Sequence, residues 1–397
     1  MSIGTFVQFG AGNIGRSFIG RLFSAAGYET VFLDVDEKLI TLINEHRSYR
    51  VVVKANDVAD RVLEVAPVRA VNSRDLEAVT RELVAADYAA TSVGQGALPS
   101  VIRSMAPALL SRRAAGLPPL DIIIAENLRS GADFFRAELA RNLEAGTRID
   151  TLAGLVETSI GKMVPIMPRE ALAADPLQLF AEPYDTLIVD AKGFSRGLPP
   201  LPGLKAVDDI AAYVDRKLFV HNLGHAAAAY LGHVGDPSIT FLWEALELPG
   251  LAALVRRAMG ESAAALHAAY PASLPAAELE EHIEDLLPRF ANRALGDTIH
   301  RVGRDLPRKL SRDDRIVGAC LLAARQGLPF AAIAEALRAA LRFKAPDESG
   351  ALARSDALFH SRYSPDALAT VLREVSGLDP ASPLDRLVIE GITGRDA

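Results

Sequence analysis

The stretch Phe9-Gly10-Ala11-Gly12-Asn13-Ile14-Gly15 decides the fold of the first part of the chain. It follows an apolar segment, Thr5–Phe9, that predicts a strand, and it opens a segment from about Asn13 to Ala26 that predicts a helix. Three glycines at this spacing between a strand and a helix are typical of a dinucleotide-binding turn, where the start of the helix binds the pyrophosphate. The residues predicted to bind the cofactor in this turn are Gly10, Ala11, Gly12, Asn13, Ile14 and Gly15.

Short apolar segments and amphipathic segments alternate through the rest of the first half. A second helix is predicted over Glu37–Glu45. Further strands are predicted over Thr30–Asp34, Val62–Val65, Tyr88–Val93, Ile122–Ala125, Thr151–Val156 and Thr186–Val189. This alternation predicts an α/β fold of the Rossmann type, with a mostly parallel sheet covered by helices on both faces.

Two features of this half address the choice of cofactor. Asp34 ends the second predicted strand, 19 residues after Gly15, where an acid binds the ribose hydroxyls. A carboxylate there repels a 2′-phosphate, so the sequence favours NAD over NADP. The segment Thr91–Gly96 follows another strand, and we expect Ser92, Val93 and Gly94 to line the nicotinamide side of the cleft. The alternative is an ordinary strand-to-helix loop.

The second half of the chain predicts a helical domain. The segment from Gly193 to Gly203 is rich in proline and glycine and is a candidate boundary, which divides the chain into residues 1–195 and 196–397. Helices are predicted over Asp208–Tyr230, Pro249–Ala269, Ala276–Phe290, Arg312–Arg325, Phe330–Leu341 and Pro365–Val375.

Composition narrows the class of protein. The 397 residues carry a formal net charge of −7, which disfavours general nucleic-acid binding. The single cysteine, Cys320, excludes an intramolecular disulfide and a multi-cysteine zinc site. No leader or membrane-spanning segment is recognised, so we expect a cytoplasmic protein that acts on a small molecule. A monomer and a homodimer both remain open.

The segment from Asp215 to His225 carries the most chemistry. With about 100° per helical residue and Lys217 at zero, His225 falls at about 80° and Asn222 at about 140°, so all three share one side of a helix. A lysine of lowered pKa can take the proton of a hydroxyl, and an amide can donate to the alkoxide that forms. The alternative is a solvated helix face. His221 and His225 have the spacing of two metal ligands, but apart from His233 no further ligand follows, so a metal site is disfavoured.

At this point the chain resembles the polyol-specific long-chain dehydrogenases and reductases, over nearly its whole length. The resemblance rests most on the Lys-x4-Asn-x2-His pattern of Lys217, Asn222 and His225. It extends over five segments, Phe9–Arg16, Ala125-Glu126-Asn127, Arg216-Lys217-Leu218-Phe219, Arg301-Val302-Gly303-Arg304 and Arg308-Lys309-Leu310-Ser311.

The resemblance implies a metal-independent, NAD-linked interconversion of mannitol 1-phosphate and fructose 6-phosphate. It implies that Lys217 is the general base, that Asn222 and Asn127 bind the oxyanion, and that His225 orients the substrate hydroxyls. Within the basic run after residue 300 it implies Arg301 and Lys309 as the first substrate contacts. Arg304 and Arg308 of the same run are further predicted substrate-binding residues. Arg312 and Arg315 are weaker candidates because they fit a solvated helix surface.

The sequence departs from the family at two places. The family usually has an Asp-Arg pair where this chain has Gly161-Lys162, and a Pro-Tyr pair where Arg293-Ala294 follows Asn292. Loss of the acid removes a charge near the expected cleft, and lysine does not reproduce the fork of arginine. Two alternatives therefore stay open. One is the same chemistry on another polyol, a hexonate or another sugar phosphate, and the other is a protein that binds NAD without turnover.

Overall fold

The computed structural model describes residues 2–56, 58–165 and 167–394. The chain forms two compact units, one up to Ala211 and one from Ala212 onward. The sequence places the domain boundary earlier, at 195/196. Residues 204–207 remain with the first unit because they form a strand that pairs with the strand Leu187–Asp190.

The first unit contains eleven strands within the described residues. They are β1 (Thr5–Phe9), β2 (Glu29–Asp34), β3 (Tyr49–Val53), β4 (Arg61–Val65), β5 (Val68–Asn72), β6 (Tyr88–Thr91), β7 (Leu120–Ile124), β8 (Ala153–Ser159), β9 (Leu179–Ala181), β10 (Leu187–Asp190) and β11 (Leu204–Val207). The helices between them are α1 (Arg21–Ala25), α2 (Glu37–His46), α3 (Leu76–Ala85), α4 (Leu98–Ala114), α5 (Gly131–Arg141) and α6 (Arg169–Ala174).

Eight of these strands form the central sheet, in the order β11-β10-β8-β7-β6-β1-β2-β5. Neighbouring strands are parallel except β10 and β8, which run antiparallel. The central strand β7 is buried along its whole length, as expected for a strand covered on both faces. The predicted parallel α/β fold is confirmed.

A second sheet was not expected from the sequence. It has three strands, in the order β4-β3-β9, and β4 runs antiparallel to β3. The strand predicted over Val62–Val65 therefore exists as β4, but it lies outside the parallel sheet to which the prediction assigned it. Most of its residues are exposed, which fits an edge strand of a small sheet rather than a covered central strand.

Arg16 ties the glycine turn to this second sheet. Its buried guanidinium donates from Nε to the Ala11 carbonyl at 2.6 Å and from Nη1 to the Leu177 carbonyl at 2.9 Å. Leu177 lies just before β9, which pairs with β3. Because a buried charge is costly unless it is hydrogen-bonded, these two bonds fix the turn against a segment about 160 residues later.

The second unit consists mostly of helices. Its helices, including α7 at its start, are α7 (Ile210–Arg216), α8 (Asn222–Gly235), α9 (Leu242–Glu247), α10 (Leu251–Ala269), α11 (Ala276–Phe290), α12 (Ile299–Gly303), α13 (Leu306–Lys309), α14 (Val317–Arg325), α15 (Ala331–Ala340), α16 (Arg354–Arg362), α17 (Leu368–Glu374) and α18 (Pro383–Thr393). Across the described residues, no helix is both long and apolar enough to span a bilayer.

Two predicted helices of this unit differ from the structure. The one expected over Arg312–Arg325 begins only at Val317, so Arg312 and Arg315 lie on turns rather than on a helix surface. The one expected over Asp208–Tyr230 is interrupted by a π-helical turn, Lys217–His221, between α7 and α8. A π turn contains one more residue than an α turn, which changes the faces on which the following side chains lie.

Candidate active site

Steric contacts explain the glycines of the first turn. Gly10 has φ of +89°, and a Cβ at this position would lie 2.6 Å from the carbonyl oxygen of Ser92. A Cβ at Gly15 would overlap the carbonyl oxygen of Gly10. A Cβ at Gly12, in contrast, would meet no atom within 4 Å. Gly10 and Gly15 therefore allow the turn to pack closely on the loop after β6 and on itself, and Gly12 leaves open space for a ligand.

A cavity of about 670 Å³ lies beside this turn, within the first unit. Of the predicted cofactor residues, Gly10, Gly12, Asp34, Ser92 and Val93 line it. It is also lined by residues of α4 and of the segment after β5, which include Ser73, Arg74, Leu76, Arg103 and Ser104. Its volume lies in the range of small-molecule and cofactor sites.

Asp34 links the glycine turn to the end of β2. Its Oδ2 accepts the Ala11 N–H at 2.7 Å, and its Oδ1 accepts the N–H groups of Val35 at 2.7 Å and Asp36 at 3.1 Å. A carboxylate has about four acceptor positions, so these bonds leave capacity for a further donor such as a ribose hydroxyl. The carboxylate therefore fixes the turn in addition to facing the cavity.

Glu126 is a site residue whose function the sequence did not indicate. Its two carboxylate oxygens accept the N–H groups of Val93 at 2.8 Å and Gly94 at 2.9 Å, which holds the loop after β6. Burial raises the pKa of this carboxyl, and the hydrogen bonds from the loop oppose that shift. Asn127, the predicted oxyanion ligand, is the next residue, three positions beyond the end of β7. Glu126 lies within the Ala125-Glu126-Asn127 motif, but the motif alone does not show that its carboxylate holds the loop after β6.

Lys162, the residue at the departure from the family, is buried and bonded within the first unit. Its Nζ donates to the carbonyl of Glu182 at 2.6 Å, to that of Tyr184, and to Asp185 Oδ1 at 3.2 Å. Burial lowers the pKa of the amine to about 8. At Gly161, a Cβ would lie 3.2 Å from the Tyr184 hydroxyl oxygen. The Gly-Lys pair thus accommodates and binds the segment 182–185.

Lys217 begins the π-helical turn of the second unit and is partly buried. Loss of hydration and then the nearby positive charge of Arg315 lower its pKa to about 8, against a smaller opposite effect of Asp314. Arg315 is buried and its Nε lies 2.6 Å from Asp314 Oδ1. A Cβ at Gly318 would lie 2.7 Å from the Phe219 ring, so the glycine permits the turn before α14 to pack on the π turn. This packing brings Arg315 near Lys217.

The π turn also determines where Asn222 lies. The N–H of Asn222 donates to the carbonyl of Lys217, a bond over five residues instead of the four of an α-helix. Residues five apart, such as 217 and 222, consequently lie one turn apart along the helix axis and in similar directions around it. The sequence-based angle of about 140° between Lys217 and Asn222 assumed a regular α-helix and is too large. The backbone therefore brings residues 217 and 222 closer in direction than a regular α-helix would, and the joint action of their side chains stays a prediction.

His225 follows one α-helical turn after His221, and its ring stacks on Phe290 with centroids 5.0 Å apart. Its Nε2 lies 3.1 Å from Oδ2 of Asp297, a residue that the sequence did not indicate. His221 is buried with its ring centroid 6.4 Å from that of His225, and burial lowers its pKa. In the described part of the chain, no group of three or more His, Cys, Asp or Glu side chains is arranged to hold a metal ion.

The basic run of the second unit consists mainly of paired charges. The described contacts are Arg301 with Asp297, Arg308 with Asp305 and Asp314, Arg312 with Asp385, Arg315 with Asp314, and the buried Lys309 Nζ with the Val302 carbonyl. Burial and then the charges of Arg315 and Arg308 lower the pKa of Lys309 to about 7. The guanidinium of Arg304 is exposed and has no hydrogen-bond or ion-pair partner among residues 2–56, 58–165 and 167–394.

Comparison with known proteins agrees with this architecture. Residues 4–203 match the mannitol dehydrogenase Rossmann domain, and residues 209–377 match the mannitol dehydrogenase C-terminal domain. A mannitol-1-phosphate 5-dehydrogenase of Brevibacillus brevis is 32% identical over 387 residues, which cover 97% of this chain and 96% of the relative. One of Paenarthrobacter aurescens is 36% identical over 384 residues, 95% of each chain.

Among solved structures, the ternary complex of Pseudomonas fluorescens mannitol 2-dehydrogenase with NAD and D-mannitol is similar in fold. The TM-score is 0.76 at 18% identity, over 99% of this chain and 92% of the other. The two family domains cover most of the chain, and the relatives exceed 30% identity over nearly their full length. The chain belongs to the mannitol dehydrogenase family of oxidoreductases.

Proposed function

We propose that the protein is an NAD-dependent polyol dehydrogenase that interconverts mannitol 1-phosphate and fructose 6-phosphate. The observation that carries the proposal is the lysine of lowered pKa on a π-helical turn, Lys217, with an amide side chain at the next turn, Asn222. π turns are rare and occur often at functional sites. The substrate is proposed from the names of the relatives, which are mannitol-1-phosphate 5-dehydrogenases at 32% and 36% identity.

In the proposed oxidation, neutral Lys217 takes the proton of the substrate hydroxyl at its Nζ. The amides of Asn222 and Asn127 donate hydrogen bonds to the oxygen as it becomes an alkoxide, and neither amide titrates. NAD, which the glycine turn and Asp34 would hold, would supply the hydride acceptor for the oxidation and, as NADH, the hydride donor for the reverse reaction. Protonated Lys217 then gives its proton to the alkoxide, so the same group serves both directions.

The cavity beside the glycine turn supports a dinucleotide in the first unit. Gly12 leaves room for the pyrophosphate. The chain is helical from residue 13 and continues through a π-helical part, Gly15–Gly20, into α1, and the N–H groups at the start of this segment are available to the pyrophosphate. Asp34 faces the cavity with remaining acceptor capacity, which suits the ribose hydroxyls of NAD. Ser92 and Val93 line the cavity on the loop that Glu126 holds, so we place the nicotinamide half there.

Charge pairing ranks the candidates for the phosphate of the substrate. Arg301 is bonded to Asp297, and Arg308 is bonded to two carboxylates, so a phosphate has to compete with these partners. Arg304 lies three residues after Arg301, and its guanidinium is exposed and unpaired among the described residues. Guanidinium groups bind phosphate oxygens in a bidentate fork. We therefore propose Arg304 as the principal phosphate contact, with Arg301 and Lys309 as substrate contacts beside it.

The test compares fructose 6-phosphate with free fructose as oxidants of NADH. We expect kcat/KM to be at least about 100-fold higher for the phosphorylated sugar, because charge-assisted contacts to phosphate contribute about 1.5–3 kcal/mol each. Equal or greater activity with fructose would reject the phosphorylated substrate. Tight NADH binding with no turnover of any polyol, hexonate or sugar phosphate would instead favour a binding protein.

A further inference from the structure

Asp297 lies in a fixed position between the turn at Arg293–Leu295 and α12. It is 5% exposed, and its carbonyl accepts the N–H of Leu242 at the start of α9 at 2.8 Å. The next residue, Thr298, pairs with Phe241 in an antiparallel bridge and caps α12 by accepting the Arg301 N–H. The backbone on both sides of the carboxylate is therefore held by hydrogen bonds.

The carboxylate of Asp297 has two partners. Its Oδ2 lies 3.1 Å from Nε2 of His225, and its Oδ1 accepts from Nη1 of Arg301. A buried carboxylate is costly unless it is paired and hydrogen-bonded. One buried acid thus connects two of the residues proposed to contact substrate.

The contact with Asp297 determines which nitrogen of His225 carries the proton. An ionised carboxylate only accepts hydrogen bonds, so Nε2 has to be the donor. In the neutral ring Nδ1 is then the unprotonated nitrogen, and it accepts a hydrogen bond. The ring plane is held independently, because it stacks on Phe290 with an interplanar angle of 24°. Both the tautomer and the orientation of the imidazole are consequently fixed before substrate binds.

We infer that Asp297 is a positioning residue that holds His225 as the Nε2-protonated tautomer, so that Nδ1 accepts a hydrogen bond from a substrate hydroxyl. This inference rests on the proposed function for the identity of the substrate. It specifies that His225 recognises a hydroxyl group of the polyol chain, since a carbonyl oxygen cannot donate to Nδ1. The same carboxylate also binds the guanidinium of Arg301 through its other oxygen.

The test replaces Asp297 by Asn, which preserves shape but can donate its amide N–H to Nε2 and so favour the opposite tautomer. The matched control is Asp385→Asn. Asp385 is equally buried and pairs with Arg312 through two bonds of 2.7 Å, but it is not among the proposed site residues. We expect both variants to have a lower free energy of unfolding. Only Asp297→Asn should also lower kcat/KM for the polyol, by at least about 10-fold.

Two further readouts separate positioning from a structural role. If Asp297 acts through His225, Asp297→Asn should cause little additional loss of kcat/KM in a His225→Ala background, and full additivity would contradict this. In the unmodified protein, nitrogen NMR of His225 should report a protonated Nε2, and a protonated Nδ1 would overturn the inference even if the variants fail to fold. Wild-type protein without polyol turnover would refute the proposed function, whereas the tautomer is measured independently of turnover.

Discussion

The backbone N–H of Asn222 donates to the carbonyl of Lys217, five residues earlier in the chain. This bond makes the segment a π turn and reduces the angle around the helix axis between residues 217 and 222. π turns are rare within α-helices, and they occur frequently at functional sites. In the proposed mechanism, this turn brings the proposed oxyanion donor, Asn222, and the proposed base, Lys217, closer in direction around the helix axis than a regular α-helix would.

Replacement of Asn222 by Ala removes this donor while leaving the helix backbone in place. We expect kcat to fall about 100- to 1,000-fold, the usual effect of deleting one oxyanion donor. The affinity for NADH, measured by fluorescence titration, should not change. A fall in kcat of less than 10-fold would contradict the assignment of Asn222.

The pH dependence should follow Lys217. Its pKa of about 8 means that the neutral base forms as the pH rises through 8, so polyol oxidation should rise over that range and carbonyl reduction should fall. Replacement of Lys217 by Met should abolish both reactions without weakening NADH binding. A rate that is independent of pH between 6.5 and 9.5, with chemistry shown to be rate-limiting by substrate deuteration, would reject the lysine base.

Arg315 should set the position of this pH profile. Arg315→Gln removes a positive charge that disfavours the ammonium form, so the pKa of Lys217 should rise and the oxidation profile should move to higher pH, by up to about one pH unit. Arg312→Gln is the control, because Arg312 pairs with Asp385 and does not contribute to the shift at Lys217. An unchanged midpoint in Arg315→Gln would show that burial alone lowers the pKa.

Two glycine substitutions should separate folding from cofactor binding. Gly15→Ala introduces a Cβ that overlaps the Gly10 carbonyl, and we expect a loss of at least about 1–3 kcal/mol in the free energy of unfolding. Gly12→Ala introduces a Cβ into open space, so stability should change by less than 1 kcal/mol while NADH affinity falls. Denaturant unfolding and NADH titration of both variants provide the measurements. Unimpaired NADH binding by Gly12→Ala would place the pyrophosphate elsewhere.

The phosphate assignment can be tested at Arg304. Arg304→Gln should raise KM for fructose 6-phosphate about 10- to 100-fold, because one charge-assisted contact is lost, and should leave the activity on free fructose unchanged. Arg312→Gln again serves as the control, since its guanidinium is committed to Asp385. An equal effect on both sugars would indicate a general structural role for Arg304.

Features with a local physical cause could be predicted from the sequence. The glycine turn requires particular residues at fixed spacing, and the amphipathic pattern of α11 gave its bounds, Ala276–Phe290, without error. The parallel order of the central sheet followed from the alternation of strands and helices. In the candidate site, the sequence and the resemblance together indicated Lys217, Asn222 and His225, which the structure places on one continuous helical segment.

Features that depend on distant partners could not be predicted in this way. The strand β9 has only three residues and is stabilised by β3, more than 120 residues earlier. The extra residue of the π turn has no compositional signature, because its cause is the packing around it. Asp297 is one acidic residue among many, and only the fold shows that it contacts His225. The ion pairs of the basic run could not be predicted either, because only the folded structure shows which carboxylate lies next to each arginine.

The bonds of Arg16 have a consequence for biosynthesis. A ribosome-bound chain that ends near residue 150 already contains the glycine turn and β1 to β7, but it lacks Leu177 and β9. Until those residues emerge, the guanidinium of Arg16 lacks one of its two acceptors, and β3 lacks its neighbour β9. The nucleotide-binding half should therefore mature late in translation, only after about 180 residues have left the exit tunnel, although its signature lies in the first fifteen.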